Sequence, residues 1–537
     1  RWPVPSGVAQ AYVDAYSEPG TVVLVPYCQG PSVVREILAA DRKALALNFD
    51  PLSVLVVEAA LSPVPASELN AAVALLGDSL KQEIPLRFYL SDMYASTCPA
   101  CSRPVVADFF VWDRELGTPV AKHVRCNDCT WNARSGLDAQ DWEELAEIPS
   151  QGMHYHYILD RIAPQPGVGA LRTRLEYMLE LYSPRNLYAL AELTLRIESL
   201  FPAGPTRRVL KVLLLECLER CSSMVPLPGR RPRRRGLSRP GRYLECNVWH
   251  AFAQAANRHG HDAAHQPRLA ESLDEFVASA EEGSGYVGQG LVRDACRALP
   301  PRSVDLILTS PPALDAAAWS LSYLWGAWLL GAEAAAPLQP LLRQRTPDPE
   351  WYARGMARPL ASLVDLLRDE GRLVFVLSEQ RPVVVEALAQ AASGAGLGVT
   401  ALVQSGADYR LELAPTVAPV RRSSLPLAAL IRQAAADAAS DAIRKRGEPV
   451  PWPTLHAAIL RRLAQSGLLV ALQKQETEDT SPIDLMAEQV QIGLEDPAFR
   501  RLAGGEGSEQ VWWLVEPSGV EPPLCDRVEA ATYEVLR

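Results

Sequence analysis

Between Thr21 and Tyr27 the chain reads TVVLVPY, an almost unbroken run of β-branched and apolar residues. Such continuity predicts a strand buried on both faces, as in a parallel sheet, rather than one with a solvent side. Before it, SGVAQAYVDAYSEPG has helical periodicity and stops at Pro19-Gly20. After it come a turn (CQGPS), a helix (SVVREILAAD) and a second strand (KALALNFDP). This order predicts a βαβ unit of a doubly wound α/β sheet. The alternation resumes at Tyr286, where GYVGQGLVRDACRALP leads into the strand VDLILT. Helices follow to about Leu367, and the strands GRLVFVLS and GVTALVQS then flank the helix PVVVEALAQAASGAG. Pro311 and Pro312 end VDLILTSPP abruptly, because proline cannot donate to a sheet ladder. In an open α/β sheet that carboxyl edge is where ligands bind.

Between the two α/β stretches the pattern becomes Leu-rich and helical from about Met153 to Met224, and residues 243–282 are also expected to be helical. Beyond Ala428 helix dominates, with one short strand, VWWLVE. There Leu455, Ile459 and Leu463 recur at helical spacing as a core stripe, in a stretch that could also form a winged-helix element. These shifts predict five parts: 1–92 and 283–420 as two halves of one α/β domain, 93–135 as a zinc ribbon, 136–282 as a helical insertion, and 421–537 as a mainly helical C-terminal domain.

The 537 residues carry a net charge of −10, which excludes a uniformly basic nucleic-acid binder but leaves room for a local basic patch. No run has the length and apolarity of a membrane span, and no signal-peptide pattern is found, so no membrane partner is expected. Of ten cysteines, four fall in CPAC (Cys98, Cys101) and CNDC (Cys126, Cys129), separated by a β-rich span. Two such knuckles at the turns of a hairpin bring four thiolates to one Zn²⁺, and a site closed by four cysteines is structural. Metal-binding cysteines also fit a reducing, cytoplasmic setting better than a disulfide scaffold does. His123, beside the second knuckle, is expected to face solvent, and Cys217 and Cys221 to be small buried hydrophobes. MHYHY (Met153 to Tyr157) spaces His154 and His156 as a strand would, and packing is the expected role for both.

Together the two α/β halves resemble the DNA amino-methyltransferases, which methylate N6 of adenine or N4 of cytosine with S-adenosylmethionine, and in particular the large members that carry a zinc ribbon. The resemblance covers roughly residues 1–410. It rests on TSPP (Thr309 to Pro312), on the segment from Arg1 to Ser53 that contains the cofactor loop, and on LYSPRNLYALAEL and YLECNVWHAFA beside the insertion. It implies a Rossmann-like methyltransferase sheet, with S-adenosylmethionine held by Pro26, Tyr27, Gly30, Asn48 and Asp50. It further implies a catalytic loop of Ser310, Pro311 and Pro312. There Ser310 and the Pro311 carbonyl would orient the amine of a base extruded from the duplex. The chain departs from the family at several points. Ala313 stands where an aromatic ring stacks on the base, Val25 where an acid sits, and Gln29 and Pro31 where glycines do.

GRRPRRRGLSRPGR places Arg230, Arg231, Arg233, Arg234, Arg235, Arg239 and Arg242 in one acid-free run, which suits a phosphate backbone. It lies where the family places target recognition, so double-stranded DNA is the expected partner. Three readings stay open: a DNA methyltransferase, an inactive DNA-binding relative that keeps the fold, and an RNA-directed methyltransferase.

Overall fold

The computed structural model describes residues 4–146, 148–163, 169–227, 237, 239–259, 267–279, 283–343, 348–378, 381–406, 408–416, 425–474, 481–502 and 510–536. The expected five-part division gives way to two compact units. One comprises Arg1–Asn48, Arg268–Leu314 and Thr346–Arg537, the other Phe49–Pro267 and Asp315–Arg345.

The first unit is built on a seven-stranded sheet. Its strands are β1 (Val22–Val25), β2 (Lys43–Asn48), β3 (Gly285–Gln289), β4 (Val304–Thr309), β5 (Leu367–Leu377), β6 (Leu397–Ser405) and β7 (Asp408–Pro415), in the spatial order β3-β2-β1-β4-β5-β7-β6. Strands β1 to β5 pair in parallel, whereas β7 runs antiparallel to both β5 and β6. The unbroken apolar runs are explained by burial: Val23, Leu24, Leu306, Ile307 and Leu308 are all fully buried. The strand order reverses direction between β1 and β4, which makes a switch point at their carboxyl ends.

Helices α1 (Val8–Tyr16), α2 (Pro31–Ala39), α3 (Val292–Ala298), α4 (Pro349–Leu366) and α5 (Pro382–Gly394) accompany this sheet. The C-terminal part belongs to the same unit rather than standing apart. It consists of α6 (Leu427–Arg446), β8 (Val450–Pro451), α7 (Trp452–Gln465), α8 (Leu468–Gln473), α9 (Pro482–Leu494), β9 (Phe499–Leu502), β10 (Val511–Leu514) and a last helix, Leu524–Leu536. Its strands form a small antiparallel sheet in the order β8-β10-β9. The predicted stripe is core: Leu455, Ile459 and Leu463 are at most 1% exposed.

The second unit is helical, around a single core that includes Leu159, Leu190, Leu193, Leu214, Phe252 and Trp328. The helix Ala316–Leu330, expected within the α/β domain, joins this core, where Tyr323, Leu324, Ala327 and Trp328 are fully buried. The reason lies in its composition, since AAAWSLSYLWGAWLL is apolar all round and a helix of that kind needs cover on every side. Trp328 Nε1 donates to Thr194 Oγ1 at 2.8 Å, and Tyr323 Oη to the Ile162 carbonyl at 3.0 Å.

The cysteine segment is a sheet in which Pro104–Asp113 and Thr118–Arg125 form the central hairpin, joined by Ala95–Thr97 and Asn132–Ser135. Arg242–Cys246 is a further strand on Pro104–Asp113, pairing Val111 with Leu244 and Phe109 with Cys246. This corrects the helical expectation for 243–282 at its start: Arg242–Cys246 is held by partners more than a hundred residues away, which local periodicity does not report. Helix takes over at Val248–His259. MHYHY opens the helix Met153–Ile162, so its spacing is not that of a strand. There His154 packs against the Tyr188 ring at 3.9 Å and Glu192 Oε2 at 3.3 Å, while His156 is exposed.

Candidate functional site

In the sheet unit, β1 and β4 lie side by side, with Val23 opposite Leu306 and Leu24 opposite Ile307. Both end at the same edge. Beyond β1 the chain turns through Pro26 and Tyr27, and the Tyr27 amide donates to Thr309 Oγ1, the last side chain of β4, at 3.1 Å. Gly30 then caps α2 with an extended backbone (φ −159°), and Pro31 opens the helix, where its missing N–H costs nothing. At the end of β2, Asn48 Nδ2 donates to the Cys28 carbonyl at 2.7 Å. The structure thus brings Pro26, Tyr27, Gly30 and Asn48 to the edge that carries Ser310, Pro311 and Pro312.

The crevice is crossed by its own side chains. Gln29 Nε2 donates to the Pro311 carbonyl at 3.2 Å and lies 3.5 Å from the Ser310 carbonyl. Tyr352 Oη donates to the Pro312 carbonyl at 2.7 Å. Pro311 is buried, as are Tyr27 and Tyr352, whose phenols burial pushes well above their ordinary range. Cys28 is likewise buried, its thiol pushed up to about 12 by loss of solvent, so it is no nucleophile. Val25 lies in the strand at 2% exposure. Gln29 was noted in the sequence only as a replaced glycine; its reach across to Pro311 has no local signal.

Asp50 belongs to the helical unit and has a different task. It caps the helix Pro51–Leu61, with Oδ1 accepting from the Leu52 amide at 3.1 Å and Oδ2 from Ser53 Oγ at 3.0 Å and Ser322 Oγ at 3.3 Å. A proline after an aspartate at a helix start carries this capping signature, which the cofactor assignment of Asp50 did not take into account.

The four cysteines do converge. Cys98, Cys101, Cys126 and Cys129 place all four Sγ atoms within 4.8 Å of one another. Cys98 Sγ lies 3.5 Å from Cys129 Sγ and Cys101 Sγ 3.6 Å from Cys126 Sγ. These separations are far beyond a disulfide bond and near the edge of a tetrahedron with ~2.3 Å metal–sulfur bonds, about 3.8 Å. The two knuckles share one backbone device. Ser102 and Thr130, each directly after the second cysteine, take left-handed φ of 58° and 60°. The Cys98 amide donates to the Arg103 carbonyl at 2.9 Å and the Cys126 amide to the Trp131 carbonyl at 2.8 Å. The donor set fits a metal such as Zn²⁺, and among the described residues no other cluster of this kind occurs. His123 is not a ligand of this set and is partly covered rather than solvent-facing. It stacks on Phe109 at 4.8 Å, with Nδ1 3.1 Å from Asp108 Oδ2.

Sequence reasoning missed the ion cluster beside these cysteines. Lys122 is 1% exposed, and its Nζ reaches Ser96 Oγ at 2.7 Å, Asp138 Oδ2 at 2.5 Å and Asp141 Oδ2 at 2.8 Å. Ser96 and Lys122 sit on the strands that run into the first and second knuckles. The alternation of Thr118–Arg125 placed Lys122 on the inward face, which was the available signal.

Of the arginines, Arg230, Arg231, Arg233, Arg234 and Arg235 lie outside the described residues. Arg239 pairs with Glu180 at 3.2 Å and covers the Tyr177 ring at 5.1 Å. Arg242 pairs with Asp113 at 3.0 Å. Cys217 and Cys221 are buried as expected. No helix among the described residues is long and apolar enough to cross a membrane. Set beside known protein families, curated proteins and solved structures, the chain matches none of them.

Proposed function

We propose that the chain is a non-catalytic relative of the DNA amino-methyltransferases, one that keeps their fold as a scaffold and holds double-stranded DNA through its arginine run. The observation that carries the reading is the Gln29 hydrogen bond to the Pro311 carbonyl. Methyl transfer to a base amine would need that carbonyl and Ser310 turned toward the amine, and Gln29 already engages it. Other groups the reaction needs are absent or used elsewhere. Ala313 has no ring to stack, an interaction that contributes about 1–3 kcal/mol per base. Asp50 caps a helix, and Val25 is an apolar strand residue. Two features support the fold side of the reading: the switch point between β1 and β4, and the reversed β7 beside an otherwise parallel sheet of the Rossmann-like methyltransferase kind. The cysteine hairpin supports a zinc ribbon whose closed thiolate site is structural, and thiols of this kind suit the cytoplasm.

Strand and helix order in the C-terminal part (α6, β8, α7, α8, α9, β9, β10) supports a winged-helix element with one extra short helix, α8. Its helix α9 presents Asp484 and Glu488 to solvent, with Glu495 just beyond, and so repels phosphate. The contact with DNA is therefore assigned to the arginine run and not to this element.

A second reading, a working methyltransferase, draws on the convergence of the β1 and β4 loops at one edge. Calorimetry with S-adenosylmethionine separates the two. Binding no tighter than about 1 mM is expected; a micromolar constant overturns the proposal. DNA binding is measured as a salt series. Replacing Arg230, Arg231, Arg233, Arg234 and Arg235 by serine should flatten the slope by up to ~0.9 for each phosphate that is no longer neutralised. An unchanged slope sinks the DNA assignment, and a steeper one on duplex RNA redirects it.

A further inference from the structure

No residue of the last helix, Leu524–Leu536, is buried. Val528 is 56%, Val535 86% and Leu536 78% exposed, and only Leu524 and Arg527 are partly covered. The first turn anchors the helix: Arg527 donates to the Lys445 carbonyl and, through Nη1, to Glu521 Oε2 at 2.8 Å.

Propensity does not hold such a segment in helical form. Its 13 residues are marginal as an isolated helix in water. Val528, Thr532 and Val535 are β-branched, which lowers the propensity further. Stability has to come from packing of one face, and that face is well defined. Leu524, Val528, Ala531 and Val535 follow at steps of four, three and four, which places them within about 60° of arc. A stripe so narrow is the seam of a two-stranded helix pair rather than the broad face of a helix laid on a core. Asp526, Glu529, Tyr533 and Glu534 lie outside it.

The flanking charges say which second strand fits. Arg527 and Glu534 each precede a seam valine and lie on the same side of the stripe. In an antiparallel pair Leu524 lies against Val535 and Val528 against Ala531, and the residues on that side face each other as well. Arg527 of each copy then meets Glu534 of the other, twice by symmetry. A parallel pair sets Arg527 against Thr532 instead and makes no such ion pair. Arg527 is 38% exposed, and its anchor takes two of the five N–H donors of a guanidinium.

We infer that the last helix is a docking surface for the same helix of a second copy of this chain. The two run antiparallel along Leu524, Val528, Ala531 and Val535, with Arg527 of each copy paired to Glu534 of the other. The test is sedimentation of the full chain over a concentration series. A dimer with a dissociation constant on the order of 10–100 μM is expected, because so short a seam buries less than a standard interface. Val535→Asp changes a side chain that a single copy leaves in solvent. It should therefore keep the melting midpoint of the dilute chain and leave the protein monomeric. Glu534→Arg and Arg527→Glu each set like charges together and should weaken pairing about tenfold; the double variant should recover it. A chain that stays monomeric to about 0.5 mM gives the stripe to another occupant and overturns the inference. So does a dimer that Val535→Asp leaves intact, or a double variant no tighter than the single ones.

Discussion

The cysteine centre and the Ser310 crevice each assemble side chains from separate stretches of chain, yet they end in opposite states. At the centre, Cys98, Cys101, Cys126 and Cys129 bring four Sγ atoms within 4.8 Å of one another, a donor set that a metal ion can take. At the crevice, Gln29, Asn48, Tyr352 and the Tyr27 amide meet the carbonyls and hydroxyl that converge there. Convergence alone therefore says little about chemistry. What separates a binding centre from a strut is whether valences remain that only an outside group can fill.

That contrast can be broken most forcefully at the metal. A purified chain should carry one zinc, and stripping it, or making Cys126→Ser, should open residues 95–135 to protease. The scale is large, because structural zinc in small domains contributes about 10–16 kcal/mol of binding energy to folding. A chain that keeps its resistance without metal would place the cysteines among ordinary core residues. Next in size is the buried cation beside it. Lys122→Met leaves Asp141, itself 1% exposed at the side chain, with an unpaired charge. Loss of about 3–5 kcal/mol is expected from urea unfolding, largely restored in the Lys122→Met/Asp141→Leu double variant.

A smaller effect is read with pH. Burial would raise the Asp138 carboxyl, but hydrogen bonds from Lys122 and Thr97 outweigh it and hold the group at about 2. Its folded value lies below the unfolded ~3.9. The contribution is therefore complete above about pH 4 and lost as pH falls toward 2. The urea midpoint should drop over that window in the unmodified chain and less so in Asp138→Asn. The smallest effects belong to the crevice. Gln29→Ala should cost under about 1.5 kcal/mol, and Ser310→Ala should stay within about 0.5 kcal/mol. Neither should alter retention on DNA. If Ser310→Ala abolishes a methyl-transfer signal, the crevice is a reaction centre after all.

How far the sequence carried the reading depends on whether the cause was local. Burial makes a strand such as Val22–Val25 apolar throughout, and two paired knuckle turns fix cysteine spacing, so the strand and the convergence of the cysteines were legible in a few residues. The pairing of Arg242–Cys246 with Pro104–Asp113 was not, because its partners are remote and its own alternation is short. The helix Ala316–Leu330 was recognised as helix but assigned to the wrong unit, since an all-round apolar segment states that it needs cover and not whose. Asp50 carries a signal of another kind. An acid near a strand end resembled a ligand, while the Pro51 that follows marked it as a cap. The Gln29 contact depends on three-dimensional approach alone, and nothing in its neighbourhood announces it.

The strand order also sets a timetable for synthesis. β1 and β2 emerge early, but Val23 must wait for Leu306, and Ala44 for Gly285, while the entire stretch from Phe49 to Pro267 is made in between. Pairings of such sequence separation are slow to form, and exposed apolar strands are prone to aggregation meanwhile. The helical unit also lacks its buried helix Ala316–Leu330 until late, so neither unit is complete before the chain passes Arg345, and the first two strands are the vulnerable part of the nascent chain. Nascent chains arrested at Thr309 and at Leu377 would show the sequence of events, and a protected N-terminal segment in the shorter one would contradict it.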